Sequence, residues 1–121
     1  DLARLARAYL NEGTLDSVRV FSPATLATFT ARQRGSRALG WEKPTGRNSA
    51  GTRLSERAFG HTGFTGTSIW IDPARDLFVI LLSNRVNPTR RNPRIVPVRT
   101  ALIDGVVAAI EASSTSSAPR P

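Results

Sequence analysis

Leu2, Leu5, Ala6, Tyr9 and Leu10 recur at i, i+3, i+4, i+7 and i+8, with Arg4, Arg7 and Asn11 on the other positions. That spacing places the apolar groups in one stripe of a helix over residues 1–12. Asp1 is placed to cap its N-terminus and Gly13 to end it. Ser22-Pro23 reads as an N-cap followed by proline in the first helical position, so a second helix is expected from there to about Arg34-Gly35, with Leu26 and Phe29 inward. Ala38 to Lys43, carrying Gly40-Trp41, suggests a short strand with Trp41 in the core. The polar stretch from Pro44 to Glu56 suggests a mobile loop. From Ala58 the period changes to two, with strands expected over Phe59 to Phe64, Thr67 to Asp72 and Leu77 to Asn84. Asp72-Pro73-Ala74-Arg75-Asp76 supplies the turn between the last two, which makes an antiparallel hairpin. Ile69 and Ile71 share one face of their strand and Ser68 and Trp70 the other, whereas Leu77 to Leu82 is apolar on both faces and must be covered twice. Val98, Leu102, Ile103, Val106, Val107 and Ile110 form the stripe of a final helix, Val96 to Glu111, suited to cover one face, with the early helices on the other. The Ser/Pro-rich residues 113–121 are expected to be a disordered tail, leaving one domain over residues 1–112. The fold class is therefore α+β: an antiparallel sheet of about 3–4 strands with a C-terminal helix on one face and N-terminal helices.

Composition narrows the chemistry. The 121 residues contain no cysteine, which excludes disulfides, zinc–thiolate sites and thiol nucleophiles. Paired metal ligands and glycine-rich phosphate loops are absent from the sequence as well. No apolar run approaches the ~20 residues of a transmembrane helix. The net charge of +8 comes from 16 arginines and one lysine, Lys43, against nine acids. The arginines are scattered from Arg4 to Arg120 and dense only over residues 85–94, so the charge reads as a solvated surface, and no nucleic-acid partner is expected. The chain starts on Asp1 rather than methionine, and its first residues enter a helical pattern directly, which suggests the C-terminal piece of a longer chain.

The chemistry-bearing stretch is Gly60-His61-Thr62-Gly63-Phe64-Thr65-Gly66-Thr67, at the edge of a strand. Three glycines in seven residues let a ligand approach the main chain, and the single histidine and the threonines leave polar groups beside it. Such an edge offers a backbone N–H to a developing oxyanion and a polar side chain to substrate. A lone histidine on a strand is also compatible with a half-buried structural role. Ser68 and Ser83 lack the setting of an activated nucleophile and read as strand residues, and Asp72 and Asp76 read as turn formers.

That run, together with Ile69-Trp70-Ile71-Asp72-Pro73, Leu81-Leu82-Ser83-Asn84-Arg85-Val86-Asn87-Pro88, Gly40-Trp41 and the helix end Leu10-Asn11-Glu12-Gly13, resembles the C-terminal region of the serine β-lactamase and penicillin-binding-protein superfamily, in its class-C-like branch of β-lactamases, D-alanyl-D-alanine peptidases and esterases. The resemblance spans most of residues 1–111. It implies the C-terminal part of a β-lactamase/transpeptidase-like fold and acyl transfer on an ester or amide carbonyl of a small-molecule or peptide substrate, with no cofactor or metal. His61, Thr62 and Gly63 match the strand triplet of that family, K-T-G or H-T-G, which forms one wall of the active site. His61 takes the place of the triplet's lysine, Thr62 lines the same wall, and Phe64 lends its backbone N–H to the oxyanion hole. A histidine titrates near neutrality where a lysine does not, so the charge of that wall would depend on pH. The family's S-x-x-K motif is absent, since Gly40 stands three residues before Lys43, so the nucleophile and its base are expected upstream and the 121 residues alone are expected to be inactive. Tyr9-Leu10-Asn11 spells Y-x-N on the apolar face of a helix and reads as a chance match. Relatives commonly act outside the cytoplasm, which suggests a periplasmic or extracellular location. The rival function is a non-catalytic, β-lactamase-like or basic binding module, to which the charge and the missing nucleophile would both belong.

Overall fold

The computed structural model describes residues 1–116. Helix α1 (Leu2–Leu10) is followed by a small hairpin of β1 (Thr14–Leu15) and β2 (Val18–Arg19), then helix α2 (Pro23–Thr30). Strands β3 (Phe59–Thr62), β4 (Ser68–Asp72) and β5 (Leu77–Leu81) form an antiparallel sheet in the order β3-β4-β5, and α3 (Ile95–Ser116) closes the chain.

Registers of β3, β4 and β5 assign each side chain to a face, because directly opposed residues project the same way. Phe59, Ile71 and Phe78 fall in one line, and with Ile69 they pack against Ala6, Tyr9 and Leu10 of α1. Gly60, Trp70 and Val79 fall in the next, and Trp70 and Val79 pack with Ile103, Leu102 and Val106 of α3. The doubly apolar strand β5 is thus covered by α3 on one side and α1 on the other, as its pattern requires.

Ser22 caps α2 by accepting the Thr25 N–H at 3.0 Å, with Pro23 at the first helical position. The helix stops at Thr30, earlier than Arg34-Gly35. Ala31 is extended, and the Gln33 side-chain amide donates to the free carbonyls of Thr28 and Ala31, closing the helix end. A helix this short buries only Leu26, and Phe29, expected inward, is 44% exposed. Asp1 holds the N-cap position of α1 without a side-chain hydrogen bond, whereas Gly13, at φ +88°, ends the helical segment by donating to Ala8 O.

Residues 38–43 do not form a strand. Gly40, at φ +75°, turns the chain so that Ala38 N–H reaches Trp41 O, and only Glu42 pairs with β3, through Gly60. Trp41 stands half-buried with its ring edge-on to Tyr9 and Phe59. The polar loop over residues 44–56 is tethered rather than free. Asp104 of α3 accepts the N–H groups of Thr52 and Arg53 and the Thr52 hydroxyl, and the buried Asp72 accepts both the N–H and the hydroxyl of Ser55. Asp104→Ala is expected to leave two N–H donors without their acceptor and lower stability by about 1–2 kcal/mol, with faster proteolytic cleavage between residues 44 and 56; an unchanged melting temperature and cleavage rate would contradict this anchoring.

Helix α3 runs on through residues 113–116, where a disordered tail was expected. Ser113, Ser114 and Thr115 turn their hydroxyls back onto the carbonyls of Ala109, Ile110 and Glu111, which lets a Ser/Thr-rich segment continue the helix. The rest of that tail, residues 117–121, lies outside the described residues.

Candidate active site

Strand β3 is bonded on one side to β4 along its length and on the other, among the described residues, only to Glu42, through Gly60 N–H to Glu42 O at 2.9 Å and Glu42 N–H to Gly60 O at 2.7 Å. Past Gly60 its outer edge borders an open cleft of about 580 Å³. His61, Thr62, Gly63 and Phe64, which the sequence singles out, all line that cleft together with Arg37, Glu42, Arg85 and Arg99. Tyr9 does not. Its ring lies 5.4, 5.3 and 5.4 Å from those of Phe21, Trp41 and Phe59, and its hydroxyl accepts from Trp41 Nε1, so it is part of the aromatic core on the α1 face.

The His61 ring is exposed and held at both nitrogens. Nδ1 lies 3.0 Å from Thr62 O, and Nε2 lies 3.4 Å from Nη1 of Arg37. A carbonyl accepts and a guanidinium donates, so both contacts are met by the neutral tautomer with its proton on Nδ1. Arg37 is itself held by Glu42, Nη1 to Oε1 at 2.9 Å. It comes beside His61 because a tight turn through Gly35 and the bend at Gly40 fold residues 34–42 back along β3. Neither Arg37 nor Glu42 was singled out from sequence, since this contact across 24 positions has no local pattern.

Residues 63–67 form a tight turn between β3 and β4. Gly63 donates to Thr67 O at 2.8 Å and Gly66 to Gly63 O at 3.2 Å. An added Cβ on Gly63 would lie 2.3 Å from Thr67 Oγ1, so a side chain there would require the Thr67 hydroxyl to turn away. Arg85, beyond β5, donates from Nε to Phe64 O at 2.7 Å and from Nη1 to Arg90 O, and its guanidinium lies 4.4 Å from the centre of the Phe64 ring. These contacts give Arg85 a structural part in the turn. The Phe64 N–H makes no hydrogen bond with the described residues.

Arg99 is the residue that sequence reasoning missed. It is only 5% exposed, and its Nη2 donates to Gly63 O at 2.8 Å and Thr67 O at 2.7 Å. Burial, and then the neighbouring charge of Arg85, hold its pKa below the ordinary arginine value. The available signal was positional: residue 99 stands four before Ile103 and seven before Val106, on the inner stripe of α3, whereas Val98, assigned there from sequence, is 50% exposed.

Ser83 donates its hydroxyl to Gly66 O, Ser68 is buried within β4, and Ser55 is bonded to Asp72, so none of these serines is poised as a nucleophile. Among the described residues no three His, Asp or Glu side chains converge as a metal site, and no helix is long and apolar enough to cross a membrane.

The sequence profile of the β-lactamase family matches residues 1–101. The chain belongs to the β-lactamase family. As a member, it is 35% identical over 103 residues to proteins of Salmonella paratyphi B and Salmonella newport that are provisionally named D-alanyl-D-alanine carboxypeptidases; the match takes in 80% of this chain and 24% of theirs. The fold superposes on a penicillin-binding-protein homologue from Caulobacter crescentus at TM-score 0.63 and 28% identity, over 85% of this chain and 30% of that one. It also superposes on a β-lactamase from Mycobacterium bovis at TM-score 0.70 and 26% identity, over 89% and 42%. The resemblance noted in the sequence is thereby shown for the serine β-lactamase and penicillin-binding-protein superfamily, and the sheet and helices are those of its fold. This family member spans about a quarter of the length of the Salmonella relatives it matches.

Proposed function

We propose that this chain supplies one wall of the active site of a serine hydrolase that works by acyl transfer, with the serine nucleophile and its base contributed by residues upstream. The observation that carries the reading is the outer edge of β3, where His61, Thr62, Gly63 and Phe64, whose N–H has no partner among the described residues, border one cleft. An upstream serine would attack an ester or amide carbonyl facing this edge. The carbonyl π electrons move to oxygen, and the resulting oxyanion is stabilised by the Phe64 N–H and by the N–H of the nucleophile itself. His61, held between Thr62 O and Arg37, offers a fixed polar group beside the leaving atom. The upstream base takes the serine proton and returns it to the departing amine or alcohol as the oxyanion re-forms the carbonyl; water then hydrolyses the acyl-serine to the acid and the free serine. The substrate classes that suit this wall are a β-lactam, a peptide ending in D-alanyl-D-alanine and a small ester. A periplasmic or extracellular location is proposed with it, because relatives of this kind commonly act outside the cytoplasm.

The rival, a basic binding module, gains less from the structure because many of the arginines are spent internally. Arg4 pairs with Asp16, Arg37 with Glu42, and Arg53 and Arg75 both with Glu111, while Arg85 and Arg99 hold backbone carbonyls.

Intact mass measured after mixing the full-length protein with p-nitrophenyl acetate tests the proposal. The expected result is one added acetyl group on a serine upstream of Asp1, formed roughly tenfold more slowly in His61→Ala. No adduct on the wild-type protein would refute acyl transfer, and wild-type kinetics in His61→Ala would remove the role given to that residue.

A further inference from the structure

We infer that Arg99 is the positioning residue that aims the Phe64 N–H into the cleft, by holding the opposite end of the same peptide group. This rests on the acyl-transfer reading for its catalytic consequence but not for its geometry.

A trans peptide is planar, with its C=O and N–H pointing in opposite directions, so fixing one fixes the other. The Gly63–Phe64 bond is trans, and Arg99 Nη2 donates to Gly63 O at 2.8 Å. With the Gly66 N–H at 3.2 Å, both acceptor positions of that oxygen are taken. The carbonyl points toward the Arg99 guanidinium and the Gly66 N–H, and the Phe64 N–H therefore points to the opposite side of the peptide group. A cation on the carbonyl also polarises the peptide and strengthens its N–H as a donor.

A purely mechanical strut between α3 and this turn would not need a charge. Arg99 is buried, and among the described residues no carboxylate pairs with it and its Nε has no hydrogen-bond partner. An uncompensated buried cation lowers stability, and the same space could hold an apolar side chain. What the guanidinium adds is one nitrogen bridging Gly63 O and Thr67 O, the two carbonyls that set the shape of the turn.

Arg99→Met and Arg99→Lys in the full-length protein separate the possibilities. The first removes the charge at similar length, and the second keeps a cation and a donor. Gly63-Phe64 is the only Gly-Phe pair in these 121 residues, so carbonyl-13C glycine with 15N phenylalanine labels this single peptide within them. Its resonance is identified by its loss in Phe64→Leu. The expected result is a shift of the Phe64 amide that is larger in Arg99→Met than in Arg99→Lys. Turnover of p-nitrophenyl acetate is expected to fall about 10- to 100-fold in kcat for Arg99→Met with KM within about twofold, and to recover in part for Arg99→Lys. An unmoved amide resonance in a folded Arg99→Met protein overturns the positioning role outright. A shifted resonance with wild-type kcat, or with KM alone raised, overturns its catalytic consequence. A wild-type protein that forms no acyl-enzyme overturns the acyl-transfer reading instead, and the amide shift then decides the positioning role alone.

Discussion

If the proposed acyl transfer holds, proline in place of Phe64 is expected to lower kcat of the full-length protein on p-nitrophenyl acetate about 10²- to 10³-fold, the range seen when one oxyanion donor is removed. Proline has no N–H. The Phe64 N–H has no acceptor among the described residues, so its loss breaks no hydrogen bond of the fold. The position is not in the left-handed region, and Gly63 before it tolerates the restriction that proline imposes. Phe64→Ala is the control: it keeps the N–H and removes a ring that is already 65% exposed and lies under Arg85, so kcat is expected to stay within about threefold of wild type. Equal losses in the two variants would mean that the ring, not the backbone, serves the reaction.

The largest expected effect on stability comes from Gly60. Its partner across the sheet is Trp70, 1% exposed at the centre of the α3-facing core. A Cβ on Gly60 would lie 2.3 Å from Ile69 O and 2.4 and 2.5 Å from Cδ2 and Cε3 of the indole. Neither a paired backbone carbonyl nor a buried ring can yield without opening the β3–β4 ladder. Gly60→Ala is therefore expected to cost roughly 3 kcal/mol, at the upper end for overpacked cores, read as a lower urea midpoint at unchanged slope. A wild-type midpoint would show that β3 does not lie this close to the indole. The same glycine explains why the candidate site sits where it does. It lets Trp70 fill the space behind β3, and the outer edge at His61 is then supported from within.

Features carried by contiguous residues were legible in the sequence. The β4–β5 hairpin follows from two apolar runs on either side of the Asp72-Pro73 turn, and His61 to Phe64 share a cleft because they are contiguous at the end of an edge strand. Features made by side chains meeting across the chain were not. The β1–β2 hairpin escaped notice because two-residue strands have no readable period and its turn, Asp16-Ser17, lacks the usual glycine although both residues have positive φ. Arg37 reaches His61 only because Gly35 and Gly40 reverse the chain. Arg99 lies on an apolar stripe, where periodicity alone expects an aliphatic residue, and its neighbour Val98 drew the assignment instead. Residues 113–116 show that composition can mislead about order when hydroxyls bond back to the preceding turn.

The central claim, that the turn after β3 binds an oxyanion, is tested most directly by a crystal structure of the full-length protein inactivated with a fluorophosphonate. The account predicts a phosphonylated serine from upstream of Asp1 with its phosphoryl oxygen about 2.7–3.1 Å from Phe64 N. A phosphonyl group on a serine remote from β3, or one beside β3 whose oxygen turns away from Phe64, would contradict it.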